Sequence, residues 1–474
     1  MTRPAIATFD PLRRTEWVVG GLVFVTVAST TWGFAGKASW APMAFSVLAV
    51  LAALSAVVMT RREGLRFNGA AFLPFVFFAL MISISLVNRS HEPSAIKPSG
   101  LIERTGWVAW LPATVDRATT VSEMLPWLSA FLLGAAIRQT AFGRRAVRLL
   151  WAVLLGHGLL VALVGVYYFF VDWGHILGLV RARHGYHFAS FVYRNHWSAY
   201  VLLLVALALG FAFSALRRWQ GGRGRLDATV AGFGVAALLT LTLPMPGSRS
   251  GLLIATGMLG VAVIRAGWVL WRARSAERSS PLVRLARVGG GLLLAGLILA
   301  GGVMLNRDNF RPHWVRTQAQ ISGLLSGAED IRMNLSRDTL RLAADRPVWG
   351  WGVGSFGLVF PVYQGDYLRA PSGEITTQVL HAHNDWAELA AETGAVGLLG
   401  LLVPVVILLI RGARAEGVMG AWVTFGTGLV LAYALVDFPM HCPAVLFFLT
   451  VLLCTAPPPF GFPLEKEERP LPAV

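Results

Sequence analysis

Twelve apolar runs divide this chain, near residues 17–36, 41–59, 69–87, 121–137, 147–171, 196–214, 227–245, 249–271, 288–306, 386–410, 418–437 and 443–456. A run of roughly 18 apolar residues is long enough to cross a bilayer as a helix. Only 14% of the residues are charged, against 55% hydrophobic; soluble domains carry about 25% charged residues. The expected fold is therefore all-α: a polytopic membrane protein with about twelve transmembrane helices and one large, partly helical loop. The first run is followed by eleven more, so it reads as an anchor and not as a cleaved leader.

The net charge of +16 would suit a nucleic-acid partner if the charges were spread evenly. They are not. Arg61-Arg62, Arg144-Arg145, Arg217-Arg218, Arg272-Arg274 and Arg411-Arg414 all fall on alternate loops, the pattern that orients spans with basic loops in the cytoplasm. This accounts for nearly the whole excess, and no nucleic acid is expected. Both termini come out cytoplasmic. The chain divides into residues 1–190 (about five spans with their outer loops), 191–306 (central spans), 307–385 (the large outer loop), 386–456 (the last spans) and 457–474. The final segment has a Pro457-Pro458-Pro459 run and reads as a short disordered cytoplasmic tail. Cys442 and Cys454 sit about 18 Å apart along one helix, too far for a disulfide.

Charged and titratable groups at the edge of the hydrocarbon are costly, which makes them functional candidates. Arg194 and Asn195 open the sixth run within Tyr193-Arg194-Asn195-His196-Trp197. An interfacial Arg either snorkels beside aromatic anchors or grips a diphosphate with its planar fork. Arg249 lies in the short turn Pro246-Gly247-Ser248-Arg249-Ser250-Gly251, where the next helix begins and could face an anion. Asp330–Asp345 has helical spacing and carries Arg332 and Arg337; Pro347 stops it. The Gly-rich stretch from Pro347 to Phe356 has no preceding strand and no following Lys-Ser/Thr, so it is not expected to hold a nucleotide. His381, His383 and Asn384 sit where the large loop enters the tenth span. A neutral imidazole there can take a proton from a hydroxyl; alternatively the segment caps the helix, with Asn384 or Asp385 as N-cap. His381-x-His383 fixes no third ligand by spacing, so no metal is expected. Asp437, in Asp437-Phe438-Pro439-Met440-His441, either caps a turn or orients a His or an Arg.

Taken together, these segments resemble the O-antigen ligase and O-antigen polymerase family. The resemblance covers roughly 190–440. It is carried by Tyr193–Trp197, by Gly247–Gly251, by Arg332 fifteen residues before Pro347 of a Pro-x-x-Gly-x-Gly turn, and by His383-Asn384, nine residues, then Gly394-x-x-Gly397. It implies a multi-span, metal-independent, inverting glycosyltransferase in the bacterial inner membrane, with its active site facing the periplasm. The implied donor is a glycan on undecaprenyl diphosphate. The implied acceptor is lipid A-core or another lipid-linked glycan, with protein as a third option, and no cofactor is implied. His383 would be the catalytic base, Arg194, Arg249 and Arg332 would bind the diphosphate, and Asn195, Arg337, His381, Asn384 and Asp437 would support them. From other classes, a twelve-span lipid-glycan transporter or a non-catalytic scaffold competes, but neither needs polar residues gathered at one face, and no inverted repeat is visible.

The orientation is testable directly. A cysteine placed at Ser372, in the large loop, is expected to react with a membrane-impermeant thiol reagent from the periplasmic side. Reaction only after the inner membrane is permeabilised would reverse the topology.

Overall fold

The computed structural model describes residues 12–93, 101–182, 185–223, 225–272, 315, 331–369, 372, 378–415 and 417–457. These are mostly helical. The first eight helices are α1 (Arg14–Trp32), α2 (Ala41–Arg62), α3 (Leu73–Val87), α4 (Arg117–Thr140), α5 (Arg144–Val171), α6 (Arg194–Gln220), α7 (Asp227–Leu241) and α8 (Arg249–Arg272). After the gap come α9 (Ile331–Asp345), α10 (Phe356–Tyr363), α11 (Asp385–Arg414), α12 (Val418–Tyr433) and α13 (Pro443–Thr455).

The run expected at 288–306 and the tail 458–474 lie outside the described residues. Each of the other runs falls on a helix. Among the described residues, seven helices are long and apolar enough to cross a membrane, while α7, α12 and α13 are apolar but shorter. The chain is thus a multi-pass membrane protein, and the expected count of twelve spans is not established. The exposed side chains of the helices are large and apolar, as in Leu54, Leu80, Leu163, Ile264 and Val403; lipid accepts such a surface and water does not.

One helix organises the rest. Of the most apolar 18-residue window in α6, 89% is buried inside the protein, against 22–50% for the other six candidate spans. It packs against α7, α8, α12, α13 and α5. Small residues permit the close approach, as they do between membrane helices generally. A Cβ on Gly232 of α7 would lie 2.8 Å from the Ala212 Cβ of α6, and one on Gly426 of α12 would collide with the Ala206 Cβ of α6.

The segment between α8 and α11 builds a satellite core at the start of α11. Leu335 and Leu342 of α9, Phe356, Val359 and Phe360 of α10, and Ala382 and Ala391 pack together with Val115 from the segment before α4. That earlier segment also contains a hairpin, His91–Pro93 paired antiparallel with Leu101–Glu103, which the sequence did not suggest. That segment and the start of α4 meet the Gly-rich stretch: Trp349 Nε1 donates to the Trp110 carbonyl at 2.9 Å, and Thr120 Oγ1 of α4 donates to the Val353 carbonyl at 2.7 Å.

The Gly-rich stretch docks into a break in α11. Gly394 stands at φ 63°, ψ −171° inside that helix, a conformation essentially restricted to glycine. The break frees backbone groups, and the stretch satisfies them. Ala395 N–H donates to the Pro347 carbonyl (2.8 Å), Val396 N–H to that of Val348 (3.2 Å), Trp351 N–H to that of Ala391 (2.9 Å) and Gly352 N–H to that of Glu392 (2.9 Å). The contact is backbone on backbone: a Cβ at Gly394 would meet the Val348 carbonyl, and one at Gly350 would meet Glu392 and Thr393. Gly394→Ala should therefore destabilise by about 1–3 kcal/mol from backbone conformation alone, with the displaced stretch adding to it. Gly234→Ala on α7, where a Cβ meets nothing within 4 Å, should be near neutral. Thermal unfolding of the two variants in detergent checks the contrast, and equal melting temperatures would refute the docking.

Candidate active site

The break and the satellite core fix the entry to α11, and the entry carries the site. Asn384 caps the helix, its Oδ1 accepting from Ala387 N–H at 3.1 Å, while its Nδ2 reaches Ser336 Oγ on α9 at 3.5 Å. His383, just before it, has φ +51°. A non-glycine residue held in the left-handed region costs free energy and recurs at functional sites.

The turn between α12 and α13 comes up against this entry. Asp385 N–H donates to the carbonyls of Ala434 (2.9 Å) and Asp437 (3.3 Å). Asp437 is completely buried and gathers three of the residues singled out in the sequence. Asn195 Nδ2 donates to its Oδ2 across a short bond. Arg332 pairs with the same oxygen at 3.5 Å and donates to the neighbouring Val436 carbonyl at 3.0 Å. His383 Nδ1 stands 4.0 Å from Oδ1.

Phe438 forms the floor. Tyr193 stacks on its ring (centroids 5.1 Å), His381 stacks on it as well (4.7 Å), and His383 meets it edge-on (4.8 Å). Asn195 Oδ1 accepts from Ser248 Oγ at 3.0 Å, and Ser250 Oγ is 3.1 Å from Tyr433 OH. Ser248, before Arg249, is thus tied to Asn195, and Ser250, after it, to α12, with Arg249 at the first position of α8.

The arginines differ in their engagements. Arg332 is committed to Asp437. The Arg194 guanidinium lies over the Tyr186 ring at 4.4 Å, and among the described residues no carboxylate stands within ion-pair distance of it. Arg337 meets Asn334 on its own helix at 3.4 Å.

The electrostatics follow from crowding. Burial, then the Arg332 charge and His381, push the His383 imidazole down to about 4, so it is neutral at neutral pH. Its Nδ1 is buried with no hydrogen-bond partner among the described residues. Burial pushes the Asp437 carboxyl up to about 6 against the pull of Arg332.

Sequence reasoning did not single out four residues that the fold brings here. Phe438 is the aromatic floor. Below it, His441 bonds Asp385 (2.7 Å) and Glu388 (3.2 Å), and Glu388 also meets His381 (3.0 Å). Two carboxylates within the first turn of a membrane helix were the available signal. Cys442 and Cys454 are free, as expected.

Helices long and apolar enough to cross a membrane, with arginine, histidine and carboxylate gathered at one end, define a multi-pass membrane protein with a polar cluster on an otherwise apolar bundle. Residues 234–402 match the model of the O-antigen ligase family. The match spans Arg249, Arg332, the Gly-rich stretch, His383 and Gly394. No curated protein and no solved structure matches the chain.

The hydrogen-bonded bridge through Asn195 is testable. Asn195→Ala removes a donor from a buried carboxylate and an acceptor from Ser248, and should cost about 1–3 kcal/mol. Ser248→Ala should cost less, because Asp437 keeps its partners. Thermal melts of both variants that coincide with wild type would show that Asp437 does not depend on the bridge.

Proposed function

We propose that this chain transfers a glycan from undecaprenyl diphosphate, in the outer leaflet of the bacterial inner membrane, to an acceptor hydroxyl at the periplasmic surface. The observation that carries this reading is the neutral His383, its Nδ1 without a hydrogen bond and 4.0 Å from Asp437, under the charges of Arg332 and Arg194. The acceptor oxygen attacks the anomeric carbon with inversion, and the bond from that carbon to the diphosphate oxygen breaks. His383 takes the hydroxyl proton. Asp437 then faces the imidazolium, as the carboxylate does in a catalytic triad. The bound diphosphate also offsets the arginine charges that disfavour a protonated His383.

Arg194 and Arg249 grip the diphosphate, whose charge grows as it leaves. Arg332 serves this anion from its place beside Asp437. Asn195 and Asn384 hold the frame, His381 supports the floor, and Arg337 lies at the rim. No cofactor enters this scheme. The acceptor is lipid A-core, as the family description suggests, or a further lipid-linked repeat. The glycan profile of a deletion strain separates them: lost ligation leaves long chains on the carrier lipid, and lost polymerisation leaves single repeats. The competing transporter reading is not favoured by the family match.

In a purified assay, His383→Ala is expected to lower turnover by about 10² to 10⁴ while donor binding persists, and His381→Ala to be much milder. Arg194→Lys and Arg249→Lys should each impair transfer, since a planar fork becomes a point charge. Near-wild-type turnover in His383→Ala would remove the base from this position, and normal output from both Lys variants would remove the arginines.

A further inference from the structure

Beneath Phe438, three side chains from three separate segments converge: His381 from the loop before α11, Glu388 from the first turns of α11, and His441 from the turn before α13. We propose that His381 Nδ1, Glu388 Oε1 and His441 Nε2 form a divalent transition-metal site, with zinc as its occupant.

The donor set is two imidazoles and a carboxylate, which suits zinc and leaves a fourth position open. The donor atoms all lie within 4.8 Å of one another. Glu388 Oε1 is 3.0 Å from His381 Nδ1 and 3.2 Å from His441 Nε2. A tetrahedral ion with bonds of about 2.0–2.2 Å sets its ligands about 3.3 Å apart, so small rotations of two rings complete the shell.

The surroundings are those of a metal site in two further respects. His441 presents Nε2 because its Nδ1 is held by Asp385 Oδ1 at 2.7 Å. That is the carboxylate–histidine–metal arrangement which fixes ring orientation and tautomer. Asp385 is itself fixed, its other oxygen accepting from Met440 N–H at 2.8 Å. Glu388 presents one oxygen because the other accepts from Ala382 N–H at 2.7 Å. Asp385 and Glu388 are each only 2% exposed, and buried carboxylates require compensating charge. A divalent cation with two neutral imidazoles balances both.

The ion would clasp the His381 loop, α11 and the Asp437–His441 turn together and take no part in group transfer. The inference does not rest on the transfer reading, and its test reads no turnover. Full-length protein carrying an affinity tag without histidine is purified in detergent, equilibrated with zinc, exchanged into metal-free buffer and analysed by elemental mass spectrometry. About one zinc per chain is expected. Cobalt in its place should give the visible absorption of a tetrahedral site. His381→Gln and His441→Gln should each lose most of the metal, while His175→Gln, on a separate hairpin, retains it. A chelator should lower the melting temperature of wild type but not of His381→Gln. Well-folded wild type that holds less than about a tenth of an equivalent, with a melting temperature indifferent to zinc and chelator, would overturn the proposal. So would zinc retained equally by the His381 and His441 variants, and wild type alone decides the matter if those variants do not fold.

Discussion

The arrangement depends on a backbone contact between two glycine-bearing segments. A helix inside a membrane protein can be broken only where something else satisfies the freed N–H and C=O groups. In α11 that partner is the stretch from Pro347 to Gly352, which places four hydrogen bonds across the break at Gly394. The contact needs close approach on both sides, so each partner supplies glycine where the other's backbone passes. Everything nearer the site inherits its position from this joint. The satellite core rests on it, α9 is fixed by that core, and Arg332 reaches Asp437 from α9.

Asp437 is the second point of convergence. A fully buried carboxylate must find compensation, and here it comes from Asn195 on α6 and Arg332 on α9. Segments separated by more than two hundred residues are thereby held in register by one side chain. The same demand explains why so many polar groups lie at one end of an otherwise apolar bundle.

Much of this was legible in the sequence, for identifiable reasons. Apolar runs located the helices because lipid imposes length and composition on a span. Pro347 marked the end of α9, and the Asn384 cap was one of two candidates. His383, Asn195, Arg332 and Asp437 were each singled out from position or motif, and the fold brings them to one place. The break at Gly394 was not legible, because a Gly-x-x-Gly inside an apolar run reads equally as close helix packing. The hairpin at His91–Pro93 was hidden by its brevity. The pairing of Glu388 with His381 and His441 was missed because its members lie at 381, 388 and 441, and spacing along the chain carries no information about a contact made by tertiary folding. The count of twelve spans is not established among the described residues, because length and apolarity along the sequence do not show where helices end. Thus α7, α12 and α13 stop short of the runs that suggested them or are short themselves.

The burial of α6 has a mechanical consequence. A helix enclosed by protein along most of its length cannot slide or tilt without disturbing every neighbour at once, since packed interiors are not continuously deformable. Arg194 and Asn195 stand at its first turn, so they are the fixed side of the candidate site. His383 and Arg332 belong to segments outside that packed bundle, anchored through one joint and one small core. Any give at this end of the protein therefore falls to their side, and the backbone joint at Gly394 sets how much of it is possible.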